Sequence, residues 1–130
     1  MKIENTFAAF EGEVIHGMEI GRTLGYPTAN LKTSTPVLLR GVFVVQIFIP
    51  STQAYYYGIM NIGVRPSLNK TQTSIEVHIL DFSDIIYGQI IRVRPLQKLR
   101  NEHKFNSLHE LKQQIAIDEK QTRDIINRYP

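Results

Sequence analysis

Hydrophobic and polar positions along most of this chain alternate with a period of two, and near the end the period lengthens to that of a helix. The run FEGEVIHG ends at Gly17. GVFVVQIFI (41–49) is almost wholly apolar, rich in β-branched and aromatic residues, and bounded by Gly41 and Pro50. AYYYGIMNIG (54–63) carries three tyrosines and ends on a glycine. SIEVHIL (74–80) alternates cleanly, and GQIIRVRPL (88–96) alternates again before running into a proline. With 28–32 as a further short strand, the pattern predicts about six strands at close spacing, as in a closed β-barrel or sandwich.

From residue 107 the pattern changes. Ser107 followed by Glu110 is a capping box. Leu108, Leu111, Ile115, Thr122 and Ile126 then mark a stripe at helical spacing, with Lys112, Gln113 and Glu119 off it. This predicts a terminal helix of about five turns lying against the barrel, over one opening or flank. The fold class is all-β with an appended helix.

The chain has 130 residues, no internal repeat and no low-complexity tract, so residues 1–130 are expected to form a single domain. It has no cysteine, which excludes disulfides, thiolate metal sites and a cysteine nucleophile. Its four histidines lack the spacing of a structural zinc site. The longest apolar run, 42–49, is interrupted by Gln46 and is too short to cross a bilayer. The N-terminus has acids on both sides of a very short apolar patch, unlike a signal peptide. A cytoplasmic location without membrane association is therefore expected. The net charge of +3 suits an anionic partner. Arg92, Arg94, Lys98, Arg100 and Lys104 cluster, and on composition alone they read as a solvated strand edge.

The densest local signal is GRTLGYPTAN (21–30), which follows Gly17 closely. Three glycines spaced by four could pack helices, but Pro27 and the polar composition argue against that. No G-K-[ST] follows, so it is not a P-loop. Such a loop does expose backbone N–H groups that can cradle phosphate oxygens, and Arg22 adds a permanent charge with up to five donors. If the chain is extended after Pro27, Thr28 and Asn30 share a face. A hydroxyl and an amide oxygen suit Mg²⁺ that arrives with nucleotide phosphates. On chemistry alone, the slightly better reading is that Pro27, Thr28 and Asn30 merely shape a turn.

A resemblance sharpens this. The stretch from Gly17 to Asn30, with GVF (41–43), NIGVRPS (61–67), IEVHILDF (75–82), IYGQ (86–89) and LRNEHKFNSLHELKQQIAIDE (99–119), resembles the riboflavin kinase family in the family's own order. The resemblance implies a six-stranded antiparallel Greek-key barrel with a C-terminal helix. It also implies transfer of the γ-phosphoryl group of ATP to the terminal ribityl hydroxyl of riboflavin, giving FMN and ADP. It implies Glu76 as the general base, and the alternation in SIEVHIL agrees by putting Glu76 and His78 on the face opposite Ile75, Val77 and Ile79. His78 reads as a structural neighbour.

The resemblance further implies that Gly17, Arg22 and Thr28 lie near the nucleotide phosphates and that Thr28 and Asn30 ligate Mg²⁺. Ile79, Asp81 and Tyr87 match positions that frame the nucleotide, and Arg100, His103 and Phe105 match the flavin-binding segment. Phe105 could also serve as a staple at the helix start. Two departures stand out: Arg100-Asn101-Glu102 replaces a frequent R-P-E, removing proline's fixed φ, and Pro66-Ser67 replaces P-T. They bear on flavin affinity and loop mobility rather than on the reaction.

In many bacteria this module follows an adenylyltransferase domain, for which 130 residues leave no room, so the chain is expected to stop at FMN and to act as a monomer. Two other classes compete. One is a barrel that binds flavin or nucleotide without catalysis, which has no reason to keep Glu76, Thr28 and Asn30 together. The other is a single-strand-binding barrel using the basic run and Tyr55 to Tyr57, which leaves the glycine-rich loop unexplained. A nucleic-acid partner is therefore not expected.

Overall fold

A computed structural model describes residues 7–16, 27–67 and 70–128, with backbone alone for 65–67 and 70–72. Its strands are β1 (Phe10–Ile15), β2 (Ala29–Lys32), β3 (Gly41–Ile49), β4 (Ala54–Ser67), β5 (Lys70–Ile79) and β6 (Ile90–Arg100), followed by helix α1 (Leu108–Ile126). The strands close into a barrel in the order β1-β2-β5-β4-β3-β6, all pairs antiparallel. β3, β4 and β5 run as consecutive neighbours while β6 returns beside β3, which is Greek-key order. The expected fold class is what the chain adopts.

Period-two alternation fills the interior. Val14, Leu31, Phe43, Val45, Ile47, Met60, Ile62, Ile75, Val77, Ile91 and Val93 point inward and form one buried cluster. β3 reads as nearly continuous apolar sequence because both its faces are covered. Phe43, Val45 and Ile47 face the core, whereas Val42 and Val44 are buried outside that cluster, beside β4 where α1 packs. At β3's start Gly41 has φ of 115°, a conformation open to glycine, and a Cβ there would lie 2.8 Å from the Arg100 carbonyl oxygen.

Several sequence expectations change. β4 continues past Gly63 to Ser67, and β5 begins at Lys70, so the two make a longer hairpin than the apolar runs suggested. The basic run is not a strand edge. β6 is paired on both sides, with Arg92 opposite Glu11 and Phe48, and Arg94 opposite Gln46. The helix begins where the capping box put it, with Ser107 Oγ accepting from the Glu110 amide at 3.1 Å. The return bond is shifted by one residue, since Glu110 Oε2 accepts from the Asn106 amide at 3.2 Å. The face of α1 is also rotated from the expected stripe: Leu108 is exposed, Ile125 is buried in place of Ile126, and Asp118 is buried in its middle. Among the described residues no helix is long and apolar enough to cross a membrane.

Candidate active site

Backbone register builds the centre of the site. In the ladder β2-β5-β4, Asn30 stands directly opposite Glu76, and Glu76 directly opposite Asn61. Directly opposed residues in antiparallel strands share a face, with Cβ atoms about 5 Å apart. Ile75, Val77 and Met60 belong to the core, so this face is the outer one. Two carboxamides therefore flank one carboxylate in a row across three strands. All three side chains are half-buried. The Asn61 Oδ1 atom is buried without a hydrogen-bond partner among the described residues.

One rung along, Ala29 pairs with Val77, and the sheet turns from this row to a barrel mouth. A cavity of about 280 Å³ opens there, walled by Val14, Val77, Ile79 and Ile86 from the core and by Thr28, Phe82 and Tyr87 around it. Thr28, Ile79 and Tyr87, three of the residues implied to touch nucleotide, are thus brought together. Tyr87 stacks on His16 with ring centroids 3.7 Å apart. His78 Nδ1 lies 2.8 Å from the Pro27 carbonyl oxygen, a hydrogen bond in which the ring N–H donates, tying the segment before β2 to β5.

Asp81 is paired with the helix. It follows β5 with φ of 60°, and its carboxylate accepts from Arg123 of α1 at 3.0 and 3.2 Å. The hydrogen bond from Arg123 lowers its pKa; desolvation opposes this, and the charges of Arg123 and His78 add to the lowering. Asp81 does not line the cavity; it holds the end of the helix to the turn beside it. Gly17 and Arg22 lie outside the described residues.

The residues implied to bind flavin gather at the start of α1. Arg100 ends β6, and its guanidinium lies over the Phe105 ring with Cζ 5.9 Å from the centroid. His103 meets the same ring edge-on at 4.9 Å. Arg100 Nε and Nη2 donate to the two Asp118 carboxylate oxygens at 2.9 and 2.7 Å, and Nη1 donates to the Asn101 carbonyl oxygen at 3.2 Å. Gln114 Nε2 donates to Asp118 Oδ1 at 2.9 Å. The segment also reaches toward the central row, because Glu102 lies against Gly63, two residues along β4 from Asn61, where a Cβ would meet its carboxylate.

Sequence reasoning passed over Asn61 and Asp118. Asn61 interrupts the apolar run of β4, the one local sign of its place. Asp118 carries no local signal in the sequence, and its burial depends on an arginine eighteen residues earlier.

Residues 5–126 match the family described as Flavokinase: Riboflavin kinase. The chain is 41% identical over 117 residues to the bifunctional riboflavin kinase/FMN adenylyltransferase of Haemophilus influenzae, covering 89% of this chain and 38% of that protein. The protein of the same name from Escherichia coli K12 is 42% identical, with 89% and 37% covered. The chain thus spans little more than a third of the length of these curated relatives. A crystal structure described as a macrolide-efflux protein from Streptococcus pneumoniae superposes with a TM-score of 0.83 and 34% identity, over 90% of this chain and 38% of that one. Riboflavin kinase from Trypanosoma brucei shares the fold, with a TM-score of 0.65 and 24% identity over 93% and 80% of the two chains. With nearly its whole length inside the family match, and with the barrel and helix described above, the chain belongs to the riboflavin kinase family.

Proposed function

We propose that the chain is a riboflavin kinase that moves the γ-phosphoryl group of ATP to the ribityl 5′-hydroxyl of riboflavin, giving FMN and ADP. The observation that carries this reading is the row Asn30–Glu76–Asn61, one rung from the cavity lined by Thr28, Ile79 and Tyr87. Phosphoryl transfer needs little covalent help from a protein. It needs the reactants positioned, charge neutralised and a group to take the hydroxyl proton.

Glu76 is that group. As the ribityl oxygen bonds to the γ-phosphorus, its proton passes to the Glu76 carboxylate, and the bond to the departing ADP oxygen breaks. Thr28 and Asn30 offer neutral hard oxygens beside a carboxylate, a donor set that fits Mg²⁺ sharing its shell with phosphates and water. When bound, the ion would neutralise charge on the phosphates. Ile79, Phe82 and Tyr87 give the nucleotide an apolar and aromatic wall at the barrel mouth. Arg22 and the backbone around Gly17 are the further candidates for phosphate contact. Asp81, directly after β5, is a further candidate for framing the nucleotide. Phe105 and His103 give the isoalloxazine ring an aromatic surface, and Arg100 presents its guanidinium beside them. The adenylyltransfer named for the relatives is not part of this proposal.

Incubation with riboflavin, ATP and Mg²⁺, followed by chromatography, tests the reading. FMN and ADP should appear in equal amounts. Saturable flavin or nucleotide binding without FMN formation would reduce the chain to a binding barrel.

A further inference from the structure

We infer that Asp118 is a positioning residue of the flavin site, so that α1 is the anchor of that site rather than a cover on the barrel. The inference rests on the flavin reading of Arg100, His103 and Phe105 given above.

The starting point is a residue out of place. Asp118 lies in the buried face of α1, between Leu111 and Ile115 on one side and Thr122 and Ile125 on the other, and is 3% exposed. An isolated carboxylate there would be strongly disfavoured, and a leucine would dock the helix at least as well. The carboxylate is instead fully engaged. Both its oxygens accept from the Arg100 fork, and Oδ1 accepts from Gln114 as well. Two parallel bonds between planar groups set orientation as well as distance. With Nη1 on the Asn101 carbonyl, the guanidinium is held at three points, with Cζ over the Phe105 ring.

The consequence concerns the 101–106 segment. It lacks internal secondary structure, and proline does not stiffen it. It is pinned at its start by Arg100 on Asp118 and at its end by the capping bonds of Asn106 and Ser107 with Glu110. Both anchors belong to α1. The Phe105 and His103 rings lie between them, so their placement follows from where the helix holds Arg100. A short segment tied at both ends has little freedom, which leaves the aromatic surface preformed for a flat ring system.

The test compares riboflavin and Mg²⁺-ADP affinities for the wild-type chain, Asp118→Asn, Arg100→Ala, Phe105→Ala and the double variant Arg100→Ala/Asp118→Asn. Flavin fluorescence reads the first affinity and calorimetry the second, with a thermal melt for each variant. Asp118→Asn keeps the shape and one acceptor oxygen, so the fold should survive. Riboflavin binding should weaken about 10-fold, as expected when a supporting contact is loosened, while ADP binding stays within about twofold. Because Asp118 acts through Arg100, the double variant should bind riboflavin no worse than Arg100→Ala alone. Gln114→Ala, which removes one bond to the same carboxylate, should move riboflavin affinity in the same direction by less. Wild-type flavin affinity in Asp118→Asn alongside a weakened Arg100→Ala would overturn the inference, as would additive losses in the double variant. Equal losses of riboflavin and ADP affinity would make Asp118 merely structural. If Arg100→Ala and Phe105→Ala both bind riboflavin normally, the flavin reading itself fails and takes the inference with it.

Discussion

The two halves of the site use the same outer surface of the barrel but are held in different ways. Glu76 lies mid-strand, paired with β2 on one side and β4 on the other, so backbone register sets its place. Arg100, His103 and Phe105 lie at a strand end and in the segment after it, and side chains place them: Asp118, Gln114 and the capping bonds at Glu110. A ladder position survives the loss of its own side chain. A side-chain web does not. Substitutions in the first region should therefore change chemistry and spare the fold, while those in the second should change geometry and stability together.

The largest effect should separate the two regions most cleanly. Glu76→Gln keeps the ladder and removes the proposed base, so kcat should fall by about 10²- to 10⁴-fold with an unchanged melting temperature. A variant that keeps most of its turnover would make Glu76 an ordinary strand residue. Asn30→Ala, in the same row, should lower kcat by at least about 10-fold and raise the Mg²⁺ concentration for half-maximal rate, again without loss of stability. Wild-type metal dependence would return Pro27 to Asn30 to the role of a turn.

Backbone changes should reverse that tolerance. Gly58 on β4 pairs with Ile79, and a Cβ there would lie 2.5 Å from the His78 carbonyl oxygen and 2.8 Å from an Ile47 methyl. Gly58→Ala should cost about 1–3 kcal/mol in a denaturant melt, the usual range for overpacking. Gly63→Ala is the control, since its Cβ would meet the movable carboxylate of Glu102 and should cost much less. Equal costs would mean that β4 yields along its whole length.

The smallest effect belongs to Arg123→Ala. Asp81 has a folded-state pKa held below its unfolded value by Arg123. That contribution is present above the ordinary aspartate pKa of about 3.9 and is lost as pH falls through the lower folded value. The pair is exposed, so the stability difference from wild type should be slight at neutral pH, shrink with added salt and fade in acid. A large difference that persists in acid would show that Arg123 packs rather than pairs.

What was legible in the sequence follows the same division. β3 could be bounded to the residue because Gly41 and Pro50 end it, and the helix start because Ser107 and Glu110 form a local pair. Glu76 could be assigned to the outer face from alternation alone. β4 was cut short because Gly63 was read as a terminator, whereas in the fold it is a bare place on the strand against which Glu102 lies. The basic run was mistaken for an edge because pairing on both sides of β6 depends on β1 and β3, which are distant in the chain. Asp118 was illegible for the same reason: only the folded chain brings Arg100 to it.

The most direct test of the account is a crystal structure with Mg²⁺, ADP and FMN bound. A metal should lie about 2.1 Å from oxygens of Thr28 and Asn30, and a Glu76 carboxylate oxygen about 2.6–3.2 Å from the ribityl 5′-oxygen, within reach of the hydroxyl proton. ADP should lie at the barrel mouth, with the flavin ring against Phe105 and His103. Nucleotide and flavin bound away from the Asn30–Glu76–Asn61 row, or Glu76 turned from the 5′-oxygen with the ligands in place, would contradict it.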